Sequence, residues 1–293
     1  MPGTLEWAHE DEGFGRYRSV RGRVGVKRGQ VEEGGASTMP VKLPQLLYDY
    51  YERRLVKSLK GQKIPAHVAI VVDGNRRWAK QFNASSGHGH QAGVEKIHEF
   101  LGWCRDFGVK TVTIYMLSTE NVNRSKAELD ELLGIIARLM DHLDSDESIS
   151  VSAMGAPELL PDYLAERLIR LTQHRPASEK LHINLAVGYG GRREIVDAVR
   201  GLLRDAVAEG KDIGVLAEEL DAEDISSYLY TSGQPDPDLF IRTSGEQRLS
   251  GFLIWQSAYS EMYFCEVLWP AFRKVDFLRA LRDYAGRHRR YGY

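Results

Sequence analysis

Residues 66–79 read AHVAIVVDGNRRWA. The run Ala66–Val72 is short, apolar except for His67, and rich in valine, the pattern of a strand buried on both faces. It ends at Asp73-Gly74, a turn signal, and polar residues follow. Outward from this stretch the same pattern recurs. Further strands are expected at Thr111–Leu117, Ser150–Met154, His182–Val187, Leu239–Arg242 and Glu261–Cys265, with helical patterns between most of them. One helix carries Val94, Ile97, Leu101 and Cys104 on one stripe. Another opens on a capping box, Ser125 with Glu128, and continues with Leu129, Leu132, Leu133, Ile136 and Met140. Apolar strands alternating with helices predict an α/β fold: a single domain with a mainly parallel sheet of about six strands, covered on both faces by helices.

The chain has 293 residues, 43% of them hydrophobic, enough for one large core. Residues 1–40 are rich in Gly, Arg and Glu without an apolar period, and read as a disordered extension. Met39 stands where the pattern of a folded protein begins, and translation is expected to start there; residues 41–293 form the expected folded domain. LPQLLYDYYERRLVKSL at 43–59 is an amphipathic helix, for packing on the core or a partner in preference to a membrane surface. Net charge is −2, so bulk electrostatics points to no nucleic acid, and an anion site must be a local cluster. The two cysteines, Cys104 and Cys265, read as buried thiols in a reducing compartment. No apolar run approaches a membrane span, so a cytoplasmic protein with at most peripheral membrane contact is expected.

In open parallel sheets, ligands bind beyond the carboxyl ends of the strands. After the first strand come Asp73, Gly74, Asn75, Arg76, Arg77 and Trp78. After the second come Ser118, Thr119, Glu120, Asn121 and Arg124. After the fifth, Arg242 and Arg248 flank a hydroxyl- and glycine-rich loop that includes Ser250, and Glu261 follows. Each set alone is an ordinary turn or cap. Together they supply guanidinium forks for phosphate oxygens and an aspartate able to hold Mg²⁺, which takes one or two carboxylates and lets phosphates complete its shell. That combination suits a substrate with two phosphorylated parts and a metal. There is no P-loop and no GxGxxG, so a nucleotide is not indicated. His88 and His90 lack a third ligand for a metal pair.

The ordered blocks DGNRRWA (73–79), GHxxG (89–93), LSTENxxR (117–124), GYGGRREI (188–195) and IRTSGEQRLSGFLIWQSAYSE (241–261) resemble the cis-prenyltransferases, the undecaprenyl diphosphate synthase family. The likeness runs from about Ile64 to the C-terminus. Its variants look most like the actinobacterial short-chain Z-farnesyl diphosphate synthase branch. The resemblance implies a homodimer that uses Mg²⁺ to join isopentenyl diphosphate to an allylic diphosphate. It implies Asp73 as metal ligand and catalytic residue, with Glu261 as a second metal carboxylate. Gly74, Asn75, Arg77, His90 and Arg124 match the allylic pocket, and Arg76, Trp78, Thr119 and Glu120 lie within the matching blocks. Ser118 and Asn121 match residues tied to isopentenyl placement and deprotonation. Arg242, Arg248 and Ser250 match the isopentenyl diphosphate site, and Arg290-Tyr291-Gly292 a tail that reaches a neighbouring subunit. Three positions depart: Ser86 replaces a usual arginine, Arg76 a frequent glycine and Val122 a frequent tryptophan. Met116 stands where long-chain members carry alanine, which implies a blocked tunnel and a short product, C15 from geranyl or dimethylallyl diphosphate. The alternatives are a longer C50-type product, head-to-middle condensation of dimethylallyl diphosphate, and a non-catalytic partner subunit.

Overall fold

The computed structural model describes residues 43–123, 125–173, 176 and 178–287. The expected extension at 1–40, Arg124 and Arg290-Tyr291-Gly292 lie outside them, as does the Val122 side chain. The opening strand forms β1, His67–Val71, with every residue buried. It pairs in parallel with β2 (Thr111–Ser118) on one side and β5 (Leu239–Arg242) on the other. With β4 (Leu181–Tyr189), β3 (Ile149–Met154) and β6 (Glu261–Phe264), the sheet runs β3-β4-β2-β1-β5-β6, all parallel. The helices are α1 (Leu43–Leu59), α2 (Asn75–Gln81), α3 (Ser86–Asp106), α4 (Lys126–Asp144), α5 (Asp162–Gln173), α6 (Gly191–Ala208), α7 (Ile213–Glu219), α8 (Ala222–Ser226) and α9 (Lys274–Gly286).

The strand faces divide the core. Val68, Ile70, Val112, Ile114, Ile183, Leu185 and Ile241 join the main core with apolar residues of α3, α4, α5 and α9. Ala69, Val71, Tyr115, Ala186 and Phe240 face a smaller cluster on the other side. Phe252 and Leu253, from the segment between β5 and β6, join the packing on that face.

Helix α3 begins earlier than its sequence suggests. Residues 87–93 read GHGHQAG, a glycine-rich loop by composition, yet they form its first turns. Packing explains the glycines. A Cβ at Gly89 would stand 2.3 Å from the Asn75 carbonyl oxygen, and one at Gly93 2.4 Å from Asn75 Oδ1. The helix forgoes intrinsic propensity, about 1 kcal/mol per glycine, to let α2 lie against it. Ser85 caps it, accepting from the His88 N–H at 3.2 Å. The predicted stripe Val94, Ile97, Leu101 and Cys104 is buried. On α4, Leu132, Leu133, Ile136 and Met140 are buried as expected, but the Ser125 side chain makes no capping bond, so the predicted capping box is not formed. α1 packs on α9 through Leu55, Leu59, Tyr48 and Tyr51, leaving Leu46, Leu47 and Tyr50 exposed. Cys104 is buried, Cys265 is only partly so, and both are free thiols. Among the described residues no helix is long and apolar enough to cross a membrane.

Candidate active site

The strand order turns at β1: β2 lies to one side and β5 to the other. A cleft of about 1030 Å³ opens beyond the carboxyl ends of these three strands, where open parallel sheets place their ligands. Its mouth is polar and its wall apolar.

The mouth is built around Asp73 and Arg242. Gly74 has φ 109°, a left-handed value that glycine adopts without strain, and a Cβ there would meet Leu268 at 2.9 Å. The chain turns sharply at this point, and α2 starts at Asn75. Thr243, directly after β5, fixes the turn: its hydroxyl donates to the Asp73 carbonyl at 2.7 Å and accepts from the Asp73 N–H at 3.0 Å. Arg242 is buried, its side chain 4% exposed. Its Nη2 donates to Asp73 Oδ2 at 3.0 Å, and its Nη1 to Ser250 Oγ at 2.7 Å and to the Arg248 carbonyl. Arg242 Nε and Asn75 Oδ1 are buried without a hydrogen-bond partner among the described residues. Arg77 reaches Asp73 at 3.7 Å and Glu246 at 3.6 Å, and Glu246 also pairs with Arg248.

Five cations (Arg76, Arg77, Lys80, Arg242, Arg248) and three carboxylates (Asp73, Glu120, Glu246) line the cleft among the described residues, an excess of two positive charges. That excess, with an orphaned guanidinium N–H, fits a polyanion such as a diphosphate. The donor set also fits Mg²⁺. Asp73 is one-third exposed toward the cleft, and no cluster of three or more His, Cys, Asp or Glu competes among the described residues. One carboxylate with phosphate oxygens and water is an ordinary Mg²⁺ shell.

The apolar wall comes from β2 and the flanking helices. The β2–β4 register shifts between Tyr115 and Leu117 and again before Ser118. Such a bulge re-aims side chains that would otherwise alternate. Tyr115, Met116, Leu117 and Ser118 all line the cleft, with Val94 and Ile97 of α3, Leu132 of α4 and Trp269. Burial, with Glu120 nearby, pushes the Tyr115 phenol upward, so it stays protonated and its O–H reaches the Tyr189 and Ser250 carbonyls at 3.3 and 3.4 Å. Ser118 Oγ accepts from the Asn121 N–H at 3.1 Å, closing the 3₁₀ turn Glu120–Asn123.

The structure thus gathers Asp73, Gly74, Asn75, Arg76, Arg77, Ser86, His90, Met116, Ser118, Glu120, Asn121, Arg242, Arg248 and Ser250 at one cleft. Three predicted site residues are corrected. Trp78 does not line the cleft; it packs on Phe82 and His88, with ring centroids 4.9 and 5.8 Å away. Thr119 is also off the lining; its N–H donates to the Tyr189 carbonyl, and its side chain packs on Gly190. Glu261 opens β6 in register with Leu239, while Phe264 lies beside Arg242. Three strand residues, ~10 Å of rise, separate it from the cleft end, and its carboxylate accepts from Arg287 at 3.0 Å. The expectation of a second metal carboxylate at Glu261 is therefore not met within one chain. Lys80, Thr243, Glu246 and Trp269 were not singled out from the sequence. Thr243 and Glu246 lie inside the block 241–261, and Lys80 follows the arginine run by one turn.

Comparison with known proteins places the chain. Residues 71–292 match a family model described as "Putative undecaprenyl diphosphate synthase". The chain is similar to a (2Z,6E)-farnesyl diphosphate synthase of Thermobifida fusca, 54% identical over 84% of this chain and 97% of that protein. It is similar to one of Mycobacterium tuberculosis, 50% identical over 87% and 98%. Among solved structures it is similar to lavandulyl diphosphate synthase from Lavandula x intermedia in complex with dimethylallyl diphosphate. That likeness has a TM-score of 0.72 and 37% identity, and covers 78% of this chain and 99% of the other.

Proposed function

The chain belongs to the undecaprenyl diphosphate synthase family and is a prenyltransferase of the cis type; on that premise we propose that it joins isopentenyl diphosphate to geranyl or dimethylallyl diphosphate and releases a Z-prenyl diphosphate of C15 length. One observation carries the reading: a single cleft has a cationic mouth around Asp73 and Arg242 and an apolar wall that includes Met116. The mouth suits two diphosphates and the wall a short hydrocarbon chain.

Arg77, with Asn75 and His90, holds the allylic diphosphate. Arg242, Arg248 and Ser250 hold isopentenyl diphosphate with its double bond toward the allylic carbon, and positioning supplies much of the rate. Asp73, with phosphate oxygens, would hold Mg²⁺, which would supply neutralisation of charge on the leaving diphosphate. The arginines around it serve the same end. The new C–C bond forms as the allylic C–O bond breaks, with the electron pair leaving on the diphosphate. The isopentenyl unit then loses a proton. Asn121 and Ser118 are not basic enough to take it, so a diphosphate oxygen is the acceptor and they orient the isopentenyl group. The active form is a homodimer in the cytoplasm.

Lavandulyl-type condensation of two dimethylallyl units is a second reading, supported by the solved likeness and by Ser86 at the cleft. One assay tests both. Purified protein with Mg²⁺ and labelled isopentenyl diphosphate receives dimethylallyl, geranyl or farnesyl diphosphate in turn, and the dephosphorylated products are sized. A C15 Z-product from geranyl diphosphate is expected. In a further arm with labelled dimethylallyl diphosphate alone, a branched C10 product would replace it with the second reading, and products of C50 or longer in the first arms would overturn the short-chain reading.

A further inference from the structure

The segment carrying Arg248 and Ser250 is bent against its own preference. Ser250, Gly251 and Leu253 have φ of 51°, 74° and 47°. Residues other than glycine pay for left-handed backbone, and such a turn persists only where its surroundings over-determine it. Its fixings lead to a buried carboxylate that the reaction does not use.

Glu194, in the first turn of α6, is 1% exposed. Its Oε2 accepts from Tyr189 Oη at 2.5 Å. Its Oε1 accepts from Gln256 Nε2 and from the Tyr230 N–H, both at 3.0 Å. Tyr189 Oη in turn accepts from the Leu253 N–H at 3.3 Å. The carboxylate therefore grips the bent segment at Leu253, through Tyr189, and at Gln256 directly. Nearby, the Gly191 N–H donates to the Gly251 carbonyl at 2.8 Å. A carboxylate suits the place because it only accepts, and Tyr189, Gln256 and Tyr230 all present donors.

We infer that Glu194 is a positioning residue for the isopentenyl diphosphate end of the cleft: it holds the Ser250–Leu253 bend in its left-handed form, and through that bend sets Arg248 and Ser250. The inference rests on the assignment of those two residues to isopentenyl diphosphate. Glu194 touches neither substrate. Glu194 makes no contact with Asp73 or Arg77, which among the described residues meet the segment only through Arg242 and Glu246, so the isopentenyl end responds more strongly than the allylic end. An amide at 194 keeps its oxygen for two of the three donors but turns N–H groups toward Tyr189, whose O–H then loses its acceptor, so Glu194→Gln is a partial rescue.

Two measurements on the full chain test this. Isopentenyl diphosphate does not react without an allylic partner, so its affinity is read by calorimetric titration with Mg²⁺; the affinity for inorganic pyrophosphate on the allylic side is read with the isopentenyl site filled. Hydrogen exchange of the 248–257 peptide reads the bend without any substrate. Glu194→Ala should weaken isopentenyl diphosphate about tenfold or more, a fold-change in line with stranding buried donors, with the allylic-side affinity within about twofold. It should also speed exchange at 248–257 relative to the strands of the sheet. Glu194→Gln and Tyr189→Phe should fall between it and the parent; they decide the matter if Glu194→Ala does not fold. Unchanged exchange at 248–257, or a loss shared equally by both sites, overturns the inference. If the parent chain takes up no isopentenyl diphosphate, the substrate assignment fails, and the exchange result alone decides whether Glu194 holds the bend.

Discussion

Arg242 Nη2 stands 3.0 Å from Asp73 Oδ2, so the most buried arginine of the cleft and its best-placed carboxylate neutralise each other. Asp73→Asn keeps an oxygen for Arg242 and should fold. It removes the charge that a metal needs and should lower turnover by about 10²–10³, measured as labelled isopentenyl incorporation alongside the circular dichroism melt. A folded variant with near-parental turnover would remove Asp73 from the chemistry.

Met116 lines the apolar wall and is half-buried. Met116→Ala should lengthen the product beyond C15, at about 1–2 kcal/mol of stability, below the range for a fully buried methionine. Chromatographic sizing of the dephosphorylated products checks it; an unchanged distribution would show that another residue ends the tunnel.

Gly89→Ala should destabilise the protein by about 1–3 kcal/mol, the usual cost of overpacking. The new Cβ would fall 2.3 Å from the Asn75 carbonyl oxygen, and backbone cannot step aside cheaply. The gain in helix propensity, about 1 kcal/mol, does not offset a forced separation of α2 from α3. Urea midpoints compare the two chains, and a rise in midpoint would contradict the packing argument.

His67 gives stability a pH dependence. Its Nδ1 donates to the Pro235 carbonyl at 2.7 Å, and its Nε2 accepts from Thr113 Oγ1 at 2.7 Å, so the ring is buried in its neutral form. Burial lowers its pKa below 6.5. Below pH 6.5 the unfolded chain therefore binds a proton that the folded chain refuses. Stability is full above that pH and falls, by up to about 1.4 kcal/mol per pH unit, as pH drops toward the folded value. Glu194, raised by burial, acts with the opposite sign from pH 4.5 upward. Denaturation of the parent and of His67→Gln at pH 7.5 and 5.5 isolates the histidine: the parent should lose more stability than the variant.

Much of this was legible before the structure. Each strand is a short apolar run closed by turn chemistry, and the sets after β1, β2 and β5 converge because parallel strands end together. Three things were hidden. The first turns of α3 look like a loop, because the glycines answer to Asn75 on another helix and not to their own neighbours. Thr243 and Glu246 act on Asp73 and Arg77, some 170 residues away in the chain, a pairing with no local signature. Glu261 follows Ser250 closely in sequence, but that distance does not say which end of a strand a residue occupies.

The slip in β2 gives the apolar wall a phase as well as a bulk. Tyr115, Met116 and Leu117 reach the same cavity because pairing with β4 slips there. Regular alternation would turn every second side chain away. The two shifts offset one another, since Tyr115 pairs with Ala186 and Ser118 with Tyr189, so a residue deleted here would put Ser118 out of step with β4. The irregularity is local: the strand lends consecutive side chains to the cavity and then returns to step with its partner.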